Sequence, residues 1–158
     1  MALFIIITNQ RTGGTRLTNT LSKYFDATHH EPFNGRRQWA NALSFWRENG
    51  VFPAEFFNDL SQRDILVKHC IEIHSLKFNT FLVESLIDLK SKILVLTRNS
   101  EEERSASLRR ALETGVWGPN VTTGWTDKVA SKNIEENSIK TLKRNKDISD
   151  VIDIALDK

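Results

Sequence analysis

The sequence predicts an α/β fold, a parallel sheet covered by helices on both faces in three layers, built as one domain over residues 1–158. Three observations predict it. Short, continuous, β-branched apolar runs recur along the chain, the pattern of strands buried on both faces. Stretches with helical spacing separate those runs. The chain has 158 residues, a length that suits a single core.

The first run is Leu3-Phe4-Ile5-Ile6-Ile7-Thr8. After it, Leu17, Leu21, Tyr24 and Phe25 recur at i, i+4, i+7 and i+8, one face of a helix. Residues 35–60 carry Trp39, Phe45, Trp46, Phe52, Phe56 and Phe57 and read as a helical, aromatic-rich insert. Those rings either fill the core or line a pocket, and the burial habits of aromatic residues favour the core. The second run is Asp64-Ile65-Leu66-Val67-Lys68, followed by a helical stripe of Phe78, Leu82, Leu86 and Leu89. The third is Lys92-Ile93-Leu94-Val95-Leu96-Thr97. Residues 127–158 read as one or two amphipathic helices, with Ile134, Ile139, Leu142, Ile148, Ile152 and Leu156 as apolar positions.

Apolar residues make up 39% and charged residues 27%, an ordinary soluble composition. A net charge of +2 gives no whole-protein field directed at nucleic acid or an anionic membrane, although a local arginine cluster could still hold a small polyanion. The one cysteine, Cys70, excludes an intramolecular disulfide and a cysteine-rich metal site. His69 and His74 lack partners at metal spacing, so no metal is assigned. The opening apolar run is too short for a signal peptide or for a span of roughly 20 residues. No membrane span is expected, and the cytoplasm is the expected compartment.

The most informative stretch is Gln10-Arg11-Thr12-Gly13-Gly14-Thr15-Arg16-Leu17, between the first strand and a helix start. Taken alone, Gly13-Gly14 reads as a tight turn with Thr15 as a helix N-cap. Its position directly after a buried strand, with Arg11 and Arg16 flanking, favours a phosphate cradle. Glycines let the backbone curl closely, first-turn N–H groups point at the anion, and Thr12 and Thr15 add hydroxyls. The triphosphate loop G-x-x-x-x-G-K-[ST] places a lysine on the β/γ-phosphates. In that register Gly14 occupies the lysine position, so the loop suits a terminal phosphate without a Mg²⁺-bridged triphosphate.

This loop resembles the 5′-phosphosulfate-binding loop of PAPS-dependent sulfotransferases of the carbohydrate and bacterial type, commonly P-[KR]-S-G-[ST]-[ST]-x-[LW]. Thr12 stands for the usual Ser and Gly14 for a hydroxyl residue. The resemblance covers roughly residues 5–117 and implies a P-loop-like sulfotransferase fold.

A second segment runs Lys92-Ile93-Leu94-Val95-Leu96-Thr97-Arg98-Asn99-Ser100 and continues into a helix, with Ser100 and Glu103 in a capping-box pattern. Arg98 falls at the C-terminal end of a parallel strand, where α/β sheets bind ligands. Its competing role is a surface salt bridge to a nearby Glu. The segment is similar to the family's 3′-phosphate signature, a strand, an Arg, and a helix bearing Ser. The family spacing falls on Ala106, and Ser105 and Ser107 flank it: helical phase puts Ser105 on the face of Leu108 and Leu112, while Ser107-Leu108-Arg109-Arg110-Ala111 resembles the family's S-L-L-R-A and favours Ser107.

The resemblance implies sulfuryl transfer from PAPS, as co-substrate, to a hydroxyl or amine of a small molecule or glycan. Arg11 would stabilise the leaving phosphate. Glu31, in His29-His30-Glu31-Pro32-Phe33, is similar to the base of some relatives; His30 is the alternative, its pKa suited to neutral pH. Lys68 also resembles a lysine found in some relatives, and a solvated strand-end lysine is its plainer role. Two other functions fit parts of the pattern. One is a small nucleotide kinase, which would need ATP, Mg²⁺ and the missing lysine; the other is a non-catalytic nucleotide-binding module.

Overall fold

A computed structural model describes residues 2–114, 116–118, 121–122 and 153. Strand β1 spans Leu3–Thr8, β2 Ala27–His30, β3 Ile65–Cys70 and β4 Lys92–Leu96. They form one four-stranded sheet, ordered β2-β3-β1-β4, in which every pair is parallel. Helix α1 spans Gly14–Leu21, α2 Ala40–Asn49, α3 Ala54–Ser61, α4 Leu76–Asp88 and α5 Glu101–Thr114. A short antiparallel pair, β5 (Val116–Gly118) and β6 (Val121–Thr122), follows. The amphipathic helices expected over residues 127–158 lie outside the described residues.

Side chains alternate across the sheet, and the alternation sorts the layers. Ile5 and Ile7 of β1 and Ile65 and Val67 of β3 join one core cluster with Leu43 and Trp46 of α2, Phe56 of α3, and Phe78, Leu82 and Leu86 of α4. On the opposite face a Cβ built on Gly14, at the start of α1, would meet Thr8 and Lys68. The aromatic insert is therefore mostly core: Phe52 stacks on Phe33, and Phe56 meets Trp39 edge-on. Phe45 alone among its large rings is substantially exposed.

Adjacent strands β1 and β3 thus send their helices to opposite faces, α1 to one and α4 to the other. A crevice opens between such strands at their C-terminal ends, the usual ligand position in open α/β sheets.

Three local expectations are corrected. The second apolar run extends to Cys70, so Lys68 lies inside β3; at 9% exposure it is no solvated strand end. Tyr24 is 68% exposed, because α1 closes at Leu21 and a 3₁₀ turn, Ser22–Tyr24, rotates it off the helical stripe. The third apolar run was expected to be covered on both faces; β4 is instead an edge strand, and Leu94 is 37% exposed. Strand β2 has no apolar run at all and forms by pairing with β3. Among the described residues no helix is long and apolar enough to cross a membrane.

Candidate anion-binding site

The loop leaving β1 is braced from within. Thr8 and Thr12 touch through their hydroxyls, and both donate to the Asn9 carbonyl, at 3.1 and 2.9 Å. A hydroxyl carries one proton, so Thr12 holds the loop's shape rather than offering a donor to a ligand. Arg11 then adopts φ 63° and Gly13 φ 90°. Gly13, in the left-handed region, is the N-cap of α1 and supplies no side-chain acceptor to the first turn. Thr15 is consequently not the cap; it lies within the helix. The arrangement leaves the positive end of α1 without a capping side chain.

Lys68 enters this space from β3. Its Nζ donates to Thr15 Oγ1 at 3.2 Å and to Glu31 Oε1 at 2.8 Å. The Thr15 hydroxyl accepts there, which leaves its own proton available. A Cβ on Gly14 would sit 3.1 Å from Lys68 Cε and 3.0 Å from Thr8 Cγ2, so glycine makes room for the lysine. The cation that the triphosphate loop carries at the Gly14 position comes here from the neighbouring strand. Sequence reasoning left Lys68 out of the binding set; the available signal was a charged residue interrupting a buried strand on its inward phase.

A second, deeper brace was not anticipated. Glu72, just past β3, accepts the Gln10 backbone N–H at 2.8 Å and pairs with Arg104 of α5 at 2.9 Å. Arg104 also reaches the Gln10 carbonyl at 3.4 Å. Both side chains are buried, at 6% and 1% exposure. The pair clamps the loop's backbone between β3 and α5.

Helix α5 also brings the second expected segment to the first. Arg11 Nε donates to Ser107 Oγ at 3.0 Å, and Arg98 Nη1 donates to the Arg11 carbonyl at 3.2 Å. Ser107 therefore lies at the loop, whereas Ser105 is exposed on α5. Arg98 additionally forms the competing ion pair, to Glu103 at 2.8 Å. The capping box is half formed: Ser100 Oγ accepts the Glu103 N–H at 3.2 Å, but the Glu103 carboxylate turns to Arg98. Arg16 is exposed on α1.

Glu31 and His30 end β2 beside Lys68. Glu31 holds φ 50°; with Arg11 it accounts for two of the three non-glycine residues at positive φ among the described residues. Such conformations cost roughly 1–3 kcal/mol and collect at functional sites. Burial raises the Glu31 pKa, but Lys68, with its hydrogen bond, and Arg37 at 3.4 Å outweigh it, and the carboxyl ends below its ordinary value. His30 is lowered by burial first and by Lys68 second, so its ring is neutral near pH 7.

The structure thus brings together Arg11, Thr12, Gly13, Gly14, Thr15, Arg98, Ser107, Glu31 and His30 at one end of the sheet, while Arg16 and Ser105 are exposed on α1 and α5. No family model matches the chain, and no curated protein or solved structure matches it.

Proposed function

We propose that this chain is a PAPS-dependent sulfotransferase with a P-loop-like sulfotransferase fold. The observation that supports it most is the meeting of the two anion-binding segments: the loop after β1 and the Arg98–Ser107 segment touch through Arg11. The chain's residues fit a nucleotide carrying phosphates at both ends. Thr15, Lys68, Arg11 and the first-turn N–H groups of α1 would hold the 5′-phosphosulfate, and Arg98 with Ser107 the 3′-phosphate.

Bound PAPS supplies a sulfuryl group already activated on its 5′-phosphate. The rest falls to positioning and charge. Lys68 and Arg11 would meet the negative charge that develops on the departing phosphate oxygen. On the acceptor side, Glu31 is ionised and held by Lys68 and Arg37, so it orients the lysine, whereas neutral His30 is free to take the acceptor's proton. Glu31, ionised, retains capacity as a second proton acceptor.

The test is a thermal-shift and calorimetric titration with adenosine 3′,5′-bisphosphate against ATP–Mg²⁺. The bisphosphate raises the melting temperature, Arg11→Ala abolishes that rise, and ATP–Mg²⁺ gives less. Tighter binding of ATP–Mg²⁺ would overturn the reading in favour of a kinase. Bisphosphate binding without product from PAPS and any acceptor would leave a nucleotide-binding module.

A further inference from the structure

Beside the β2 edge, an open recess of about 630 Å³ is lined by Thr28, His30, Arg36, Arg37 and Gln38. Thr28 and His30 pair in register with Leu66 and Lys68, so they lie on the α1 face of the sheet. The recess shares Arg37 with Glu31, which places it next to the Lys68–Glu31 centre. We infer that this recess is the acceptor site and that it selects a hydroxyl-rich acceptor carrying an oxyanion, such as a sugar acid. This rests on the function proposed above.

The lining carries the inference. It contains two guanidinium groups, a hydroxyl, an amide and an imidazole, and neither a carboxylate nor an apolar side chain. Arg37 is already committed to Glu31 and to the His30 carbonyl. Arg36 also lines the recess, is exposed, and has no ion pair among the described residues, so its guanidinium can take an anion there. A guanidinium fork matches a carboxylate or phosphate bidentately, while Thr28 and Gln38 suit hydroxyls. A phenol, sterol or lipid acceptor needs apolar walls. The aromatic rings of the insert do not provide them, because Trp39 turns to the opposite face against His29 and Phe33.

The experiment titrates the protein, with adenosine 3′,5′-bisphosphate present, with glucuronate and separately with glucose, following protein resonances by NMR. Glucuronate binds at least ~10-fold more tightly than glucose, as one charge-assisted fork implies. Arg36→Gln removes that preference, and the same charge change at Lys92, on the far edge strand, leaves it intact. Equal affinity for the two sugars, no binding of glucuronate, or a preference that survives Arg36→Gln would each overturn the inference. The bisphosphate titration of the same samples separates the two readings. Nucleotide binding without glucuronate preference sinks only the acceptor site. Glucuronate preference without nucleotide binding leaves the anion-selective recess and sinks the sulfotransferase.

Discussion

Arg104→Met tests the clamp beneath the loop. Arg104 Nη1 lies 2.9 Å from Glu72 Oε1, and the two side chains are 1% and 6% exposed. Neither charge has bulk water to fall back on, so deleting the guanidinium strands the carboxylate's charge in a poorly solvated site. Breaking such a pair from one side costs about 3–5 kcal/mol. A chain of this size loses roughly 2–4 °C per kcal/mol, so the melting temperature should fall by about 6–20 °C. Urea and thermal unfolding followed by circular dichroism measure it. The double variant Glu72→Gln/Arg104→Met removes both charges and keeps an acceptor oxygen for the Gln10 N–H. It should recover to within about 1.5 kcal/mol of the parent chain, since replacing a whole buried pair is often close to neutral. A single-variant cost below about 1 kcal/mol would show that water reaches the pair. Equal losses in the single and double variants would show that packing, not charge, is what Arg104 contributes.

Three further outcomes follow from other contacts. Gly14→Ala gains up to about 1 kcal/mol of helix propensity but sets a methyl 3.0 Å from the buried, β-branched Thr8, which cannot swing aside, so a net loss of about 1–2 kcal/mol and weaker bisphosphate binding are expected; unchanged affinity in a calorimetric titration would refute the Lys68 arrangement. His69 and His74 stack at 5.2 Å, and burial first lowers both pKa values from the ordinary 6.5 to about 4. The unfolded chain therefore binds more protons than the folded one between those values, and stability is lost as pH falls from about 6.5 towards 4; a urea midpoint that is no more pH-dependent than that of His69→Gln/His74→Gln would contradict this. Burial pushes the Cys70 thiol up to about 12, so iodoacetamide should label it near neutral pH only as fast as the chain unfolds; rapid labelling of the native protein, read by mass spectrometry, would contradict its burial.

Much of the fold could be read along the chain because a strand buried on both faces must be apolar at every position. Leu3–Ile7 and Ile65–Val67 announce themselves this way, and a loop with paired glycines between such a strand and a helix announces a turn that leaves N–H groups exposed. The helical periods of α4 and the aromatic weight of residues 35–60 were legible for the same reason, since burying apolar area is a local demand on residue type.

What only the tertiary structure decided depends on groups distant in sequence. Ala27–His30 has no strand pattern of its own and becomes β2 because β3 offers it a ladder. Arg104, on a polar helix that reads as surface, is buried because Glu72, 32 positions away, and the Gln10 backbone receive its charge. Lys68 reads as a strand-end lysine until Glu31 and Thr15 are brought to it. The choice between Ser105 and Ser107 turned on how α5 rolls against Arg11. Hydrophobic burial is written residue by residue, because each side chain carries its own transfer free energy. A charge is placed by its partners, and those partners assemble only when the chain folds.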